Sequence, residues 1–203
     1  GLRAISGPSR LPSGTGRRYI IESVTRSSRA IYSEVNRRRN RVGQNRHDPS
    51  IVSENGAMTE QAARALAATL GASAAGPMPS SRAWGVLVER AEGRFAAIED
   101  HGGWVYRDRA AYDAYHRDGD QDGVLDAREW GEWDGGEKWA EGLSEVLGSG
   151  EYWQSGGGIH LVFYPRPDGK FAVIGDESGS VYETREQFEA DEYGEKAESF
   201  VFV

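Results

Sequence analysis

Apolar positions come in short runs separated by turn residues. "WGVLVER" (84–90) and "IHLVFY" (159–164) are dense in β-formers, as strands with two buried faces require. "AEG" and "PDG" follow as hairpin turns whose glycines, Gly93 and Gly169, can take a positive φ. "RFAAIED" and "KFAVIGD" read as return strands, and "WVY" and "SVY" as short third strands. Helices then start at Asp108 and at Thr184, where Thr184 and Gln187 form a capping box. "ESFVFV" (198–203) predicts a final strand. "EKWAEGLSEVL" (137–147) predicts an amphipathic helix, with Trp139, Leu143 and Leu147 at i, i+4 and i+8. "MTEQAARALAATLGA" (58–72) predicts an Ala/Leu helix capped by Thr59, and "SAAGPMPSS" (73–81) reads as a linker.

These runs repeat. Residues 84–114 align without gaps to 160–190, with 12 of 31 positions identical, among them Arg90/Arg166, Gly103/Gly179, Tyr106/Tyr182 and Arg109/Arg185. Two copies are too few for a solenoid and point to one duplicated supersecondary unit. The expected fold is α+β: two βββα repeats forming antiparallel sheet, as one sheet or two, joined by one or two helices. Residues 82–203 form this domain, 58–81 a helix and linker, and 1–57 an Arg-rich segment that reads as disordered.

Charge divides the chain in the same place. Residues 1–57 hold 11 arginines and four acids, a net charge of +7; residues 58–203 hold 13 basic and 28 acidic residues, a net charge of −15. The acidic part repels nucleic acid and anionic membrane and suits cations or basic partners. Nucleic-acid binding is left to the basic segment alone. Met58 also opens like a natural start, so residues 1–57 can be read as lying outside the working protein. There is no cysteine, which removes disulfides and thiolate chemistry. Neither a spanning stretch nor an apolar leader is present in the sequence, and a cytoplasmic location is the expectation.

Between the repeats lies "DGDQDGVLDARE" (118–129). Acids stand at its first, third, fifth, ninth and twelfth places and a glycine at its sixth. Calcium takes six to eight hard oxygens, and alternate residues of a short loop can supply them. Asp118, Asp120 and Asp122 offer carboxylates, Gly123 permits the bend, Val124 offers a carbonyl, Asp126 can hold a water and Glu129 can close the sphere. Leu125 would anchor the loop to the core. The stretch resembles an EF-hand calcium loop and meets every position of that motif. The resemblance implies the ligand set Asp118, Asp120, Asp122, Val124, Asp126 and Glu129. The flanks match unevenly: Trp130 and Trp133 would give an exiting helix an apolar face, whereas Asp113 and Arg117 fall where an entering helix is usually apolar. "DESGSVYETREQ" (176–187) is rejected as a partner loop, since Val181 and Gln187 stand where Gly and Glu are needed.

No nucleophile elbow, P-loop or dinucleotide fingerprint occurs, and His47, His101, His116 and His160 share no ligand spacing. The expectation is therefore a calcium-binding, non-enzymatic module with a protein partner. The alternative is an acidic inhibitor or immunity-type protein that masks a basic partner, with calcium structural or absent.

Overall fold

The computed structural model describes residues 58–72, 74–78, 83–154, 158–191 and 195–202. The Arg-rich segment, with its expected disorder and its nucleic-acid reading, lies outside the described residues.

The elements are α1 (Glu60–Leu70), β1 (Ala74–Pro77), β2 (Trp84–Glu89), β3 (Phe95–Ile98), β4 (Gly102–Tyr106), α2 (Arg109–Asp118), β5 (Val124–Glu129), α3 (Glu137–Leu147), β6 (Tyr152–Gln154), β7 (His160–Pro165), β8 (Phe171–Ile174), β9 (Ser178–Tyr182), α4 (Arg185–Glu189) and β10 (Glu198–Val201). The fold is mixed α+β with two antiparallel five-stranded sheets, ordered β1-β2-β3-β4-β5 and β10-β9-β8-β7-β6. The order helix, four strands, helix, strand occurs twice along the chain.

This unit is larger than the βββα expected. Ala74–Pro77, read as linker, forms an edge strand paired with β2 from Ala74↔Leu87 to Pro77↔Trp84. The short alternation there is too Gly- and Pro-rich to signal a strand, and only its pairing with β2 defines it. Among the described residues, the packed core reaches back to Met58 and α1, ahead of Arg82.

Helix limits follow local chemistry. The Thr59 side chain accepts the Ala62 N–H at 3.1 Å, and Thr184 accepts the Gln187 N–H at 3.2 Å, satisfying N–H groups that a first turn leaves open. Gly71, Gly119 and Gly148 end α1, α2 and α3 in the left-handed region, with φ of 63°, 73° and 75°, where a side chain is strained.

The helices α1 and α3 fill the space between the sheets. The first touches β1 and β2 of one sheet and β8, β9 and β10 of the other; α3 touches β6 and β7 as well as β3, β4 and β5. One core joins Leu66, Leu70, Trp139, Leu143 and Val146 to the inward residues Val86, Ile98, Val105, Val162, Ile174 and Val181. The alternate residues face outward under α2, where Leu87, Ala97 and Tyr106 meet Ala111 and Tyr112, and under α4, where Phe163, Val173 and Tyr182 meet Phe188. Both faces of each sheet are covered, which is why β2 and β7 read as unbroken apolar runs.

Trp130 and Trp133 do not extend a helix. Residues 130–136 form an irregular link. Both rings are buried; their indole N–H groups donate to the carbonyls of Asp100 (2.7 Å) and Asp176 (2.9 Å). A buried indole needs such a partner, and the repeated aspartates' backbone supplies one in each half. No helix among the described residues is long and apolar enough to cross a membrane.

Candidate binding loop and acidic face

The stretch 118–129 divides into a turn and a strand. Asp118 ends α2, and the positive φ that bends the chain belongs to Gly119, not Gly123. Gly123 is small for another reason: a Cβ there would collide with the Cβ of Ala111 and stand 3.1 Å from its Cα. Its carbonyl accepts the Arg107 N–H at 2.9 Å. The motif glycine thus lets β5 start against α2.

From Val124 onward the chain is strand β5, paired antiparallel with β4: Tyr106↔Val124, Val105↔Asp126, Trp104↔Ala127, Gly103↔Arg128 and Gly102↔Glu129. The register shifts between Val105 and Tyr106, so Leu125 bulges and is 51% exposed. It does not anchor a loop to the core.

This places the six residues of the resemblance. Asp118, Asp120 and Asp122 share one exposed turn. Asp120 Oδ1 accepts the Asp122 N–H at 3.0 Å, and Asp118 pairs with Arg117 at 2.7 Å. The side chain of Asp126 holds Arg128 at 3.1 Å and accepts the Ala127 N–H at 2.9 Å. Val124 is bonded to the turn through its N–H and the Gln121 carbonyl at 2.9 Å. Glu129 closes β5, opposite Gly102. A strand rises about 3.3 Å per residue, so Glu129 lies about 16 Å from Val124. In this arrangement Glu129 cannot close a sphere around an ion held by the turn. Among the described residues, no three Asp, Glu, His or Cys side chains are grouped as a metal ion requires. The donor set that the resemblance implies does not fit a calcium site here.

A second acidic feature was not singled out in the sequence. Glu137, Glu141 and Glu145 stand at i, i+4 and i+8 on α3, and all three are exposed. Residues four apart share a helix face, so the carboxylates form one stripe. The matching positions of α1 are Glu60, Arg64 and Ala68, where Glu60 and Arg64 pair at 2.6 Å. On the α3 stripe, Arg128 from β5 lies 2.9 Å from Glu145. The Tyr152 hydroxyl has its pKa raised by partial burial and then by Glu137, Glu141 and Glu145, the direction that negative neighbours impose. The stripe was legible in "EKWAEGLSE", but Trp139, Leu143 and Leu147 on the opposite face draw attention first.

The described histidines sit apart. His101 places Nε2 3.2 Å from Asp100 and Nδ1 beside the Gly131 carbonyl. His160 Nδ1 lies 3.1 Å from the Gly135 carbonyl. His116 packs among Tyr106, Tyr112 and Tyr115, and burial pushes its pKa down.

Comparison with known proteins returned no protein-family model, no curated protein and no solved structure matching the chain.

Proposed function

We propose that this protein is a non-enzymatic binding module that masks a basic partner protein through the acidic side built by α3 and β5. The observation that carries this reading is the stripe Glu137, Glu141 and Glu145, exposed on one helix face of a region with net charge −15. Like charges held on a rigid helix set up a potential that draws and orients a basic surface. The matching face of α1 carries a neutralised pair instead, so the charge marks one side of the molecule. The two halves are read as copies of one duplicated unit, supported by their shared element order and by the 12 identities, and the stripe as a feature gained by one copy.

The test is affinity capture with the full chain and with a Glu137→Gln, Glu141→Gln, Glu145→Gln variant. Wild type should retain a basic protein in chelator and release it at high salt, because exposed charges are screened within about 8 Å at physiological ionic strength. The variant should lose it. Capture by the variant at wild-type strength, or capture that chelator abolishes, would contradict the reading.

Calcium binding is the second reading, favoured by Asp118, Asp120 and Asp122 in one exposed turn. With one oxygen from each carboxylate, that turn supplies about three of the six to eight oxygens calcium takes, which sets affinity near the millimolar end of the range. Calorimetric titration with Glu129→Gln as control separates the cases. Weak binding unchanged in the variant supports a site made by the turn alone. Tighter binding lost in the variant means that β5 yields to the ion. No heat at millimolar calcium removes this reading.

A further inference from the structure

Each central helix receives an arginine side chain at its C-terminal end from the opposite half of the chain. Arg90, just after β2, donates Nη1 to the Val146 carbonyl at 2.9 Å, in the last turn of α3. Arg166, its counterpart after β7, donates Nη1 to the carbonyls of Ala68 and Thr69 at 3.0 and 3.1 Å, in the last turn of α1. The last carbonyls of a helix have no N–H of the next turn to accept; the Ala68 carbonyl also accepts the Gly71 N–H at 3.3 Å, and the negative end of the helix favours a cation. The cap glycines lie against the same guanidinium groups. A Cβ on Gly71 would stand 2.6 Å from Arg166 Nη2, and one on Gly148 would collide with Arg90.

The repeated glycines follow the same rule. A Cβ on Gly103 of β4 would meet Val146 of α3 at 2.8 Å, and one on Gly179 of β9 would collide with Thr69 of α1. Val146 and Thr69 hold the same place in their helices, next to last before the closing leucine. Each half therefore carries a strand face and an arginine shaped for the other half's helix, and the exchange is reciprocal. The link between halves behaves differently. The Trp130 indole N–H bonds Asp100 and that of Trp133 bonds Asp176, each within its own half, while the Trp130 ring lies against Gly142 of α3. Gly131 and Glu132 between them are exposed.

We propose that residues 58–131 and 132–203 are two interlocking subunits carried on one chain. The surface that each presents is a protein-binding site for the other, and the matching half of a second copy fills it equally well. The covalent link raises the effective concentration of the partner; the reciprocal caps and glycine clefts specify it.

The experiment inserts a specific protease site between Gly131 and Glu132 in the full chain and cuts the folded protein. The two fragments should co-elute at the size of the intact chain. Cut protein mixed with an isotope-labelled cut sample, then unfolded and refolded together, should give hybrid pairs by native mass spectrometry. Arg166→Met in the cut protein should raise the fragment dissociation constant about 30-fold, the loss expected for two charge-assisted bonds to carbonyls, and Arg90→Met should raise it less, about 10-fold. Fragments that elute separately, or refolded mixtures without hybrids, would overturn the proposal.

Discussion

The connection from α2 to β5 and the one from α4 to β10 occupy the same place in the two halves and use acids in opposite ways. After α2, Asp118, Asp120 and Asp122 are exposed, and one backbone N–H, that of Asp122, is accepted by Asp120. After α4, Asp191 is buried and its two oxygens accept the N–H groups of Glu195 (3.2 Å) and Lys196 (3.1 Å). The second loop shows backbone N–H groups bonded to both oxygens of a carboxylate after the helix. Density of acids does not distinguish a ligand from a loop-former; burial and the donors in reach do.

The largest expected effect breaks that contrast directly. Asp191→Ala removes a buried carboxylate that accepts two backbone N–H groups and should cost about 3 kcal/mol, whereas Asp120→Ala should stay within about 0.5 kcal/mol. Denaturant melts of both variants check this; equal losses would mean that the two loops are not different in kind. Next come the helix caps. Arg166→Met removes two bonds to α1 carbonyls and should cost about 2 kcal/mol, and Arg90→Met, with one bond to α3, about 1.5 kcal/mol. Gly123→Ala sharpens the account of the motif glycine. Forcing a methyl against Ala111 should destabilise by about 1.5 kcal/mol in chelator, so the cost should arise without any calcium.

The smallest effect is one of pH. Asp108 caps α2, where its counterpart on α4 is Thr184. The Ala111 N–H, and after it the Arg107 side chain, holds the Asp108 carboxyl below the usual carboxylate value. A carboxyl lowered in the fold adds stability above its unfolded value, near pH 3.9, and that contribution is lost as pH falls through the lower folded value. Threonine does not titrate there. Asp108→Thr should therefore melt below wild type near neutral pH, and the gap should narrow as the pH falls below the unfolded value of about 3.9. Thermal melts across that range check the trend; a constant gap would contradict it.

Much of the fold was legible because burial leaves periodic marks. The runs at 84–90 and 159–164, the turn glycines Gly93 and Gly169, and the caps at Asp108 and Thr184 all correspond to observed elements. The repeated arginines and glycines were visible too, but their purpose was not. Arg90 and Arg166 act on helix ends 56 and 98 residues away in sequence, which no local pattern encodes. β1 was hidden because pairing, not propensity, holds it. The reading of 118–129 diverged for a related reason. Its spacing fits a ligand loop, yet "VLDARE" can equally form an edge strand, and the open edge of β4 decides in favour of the strand. Trp130 and Trp133, placed on an exiting helix by their spacing, fold into the core because each finds a carbonyl at a β-turn.

The most direct test is amide hydrogen exchange of Val124–Glu129, followed in chelator and in millimolar calcium. The account places these residues in β5, so the amides bonded to β4 should be protected to the same extent in both. Protection that disappears on adding calcium, with new protection at residues 118–123, would show that the stretch closes around the ion and that the division into turn and strand is wrong.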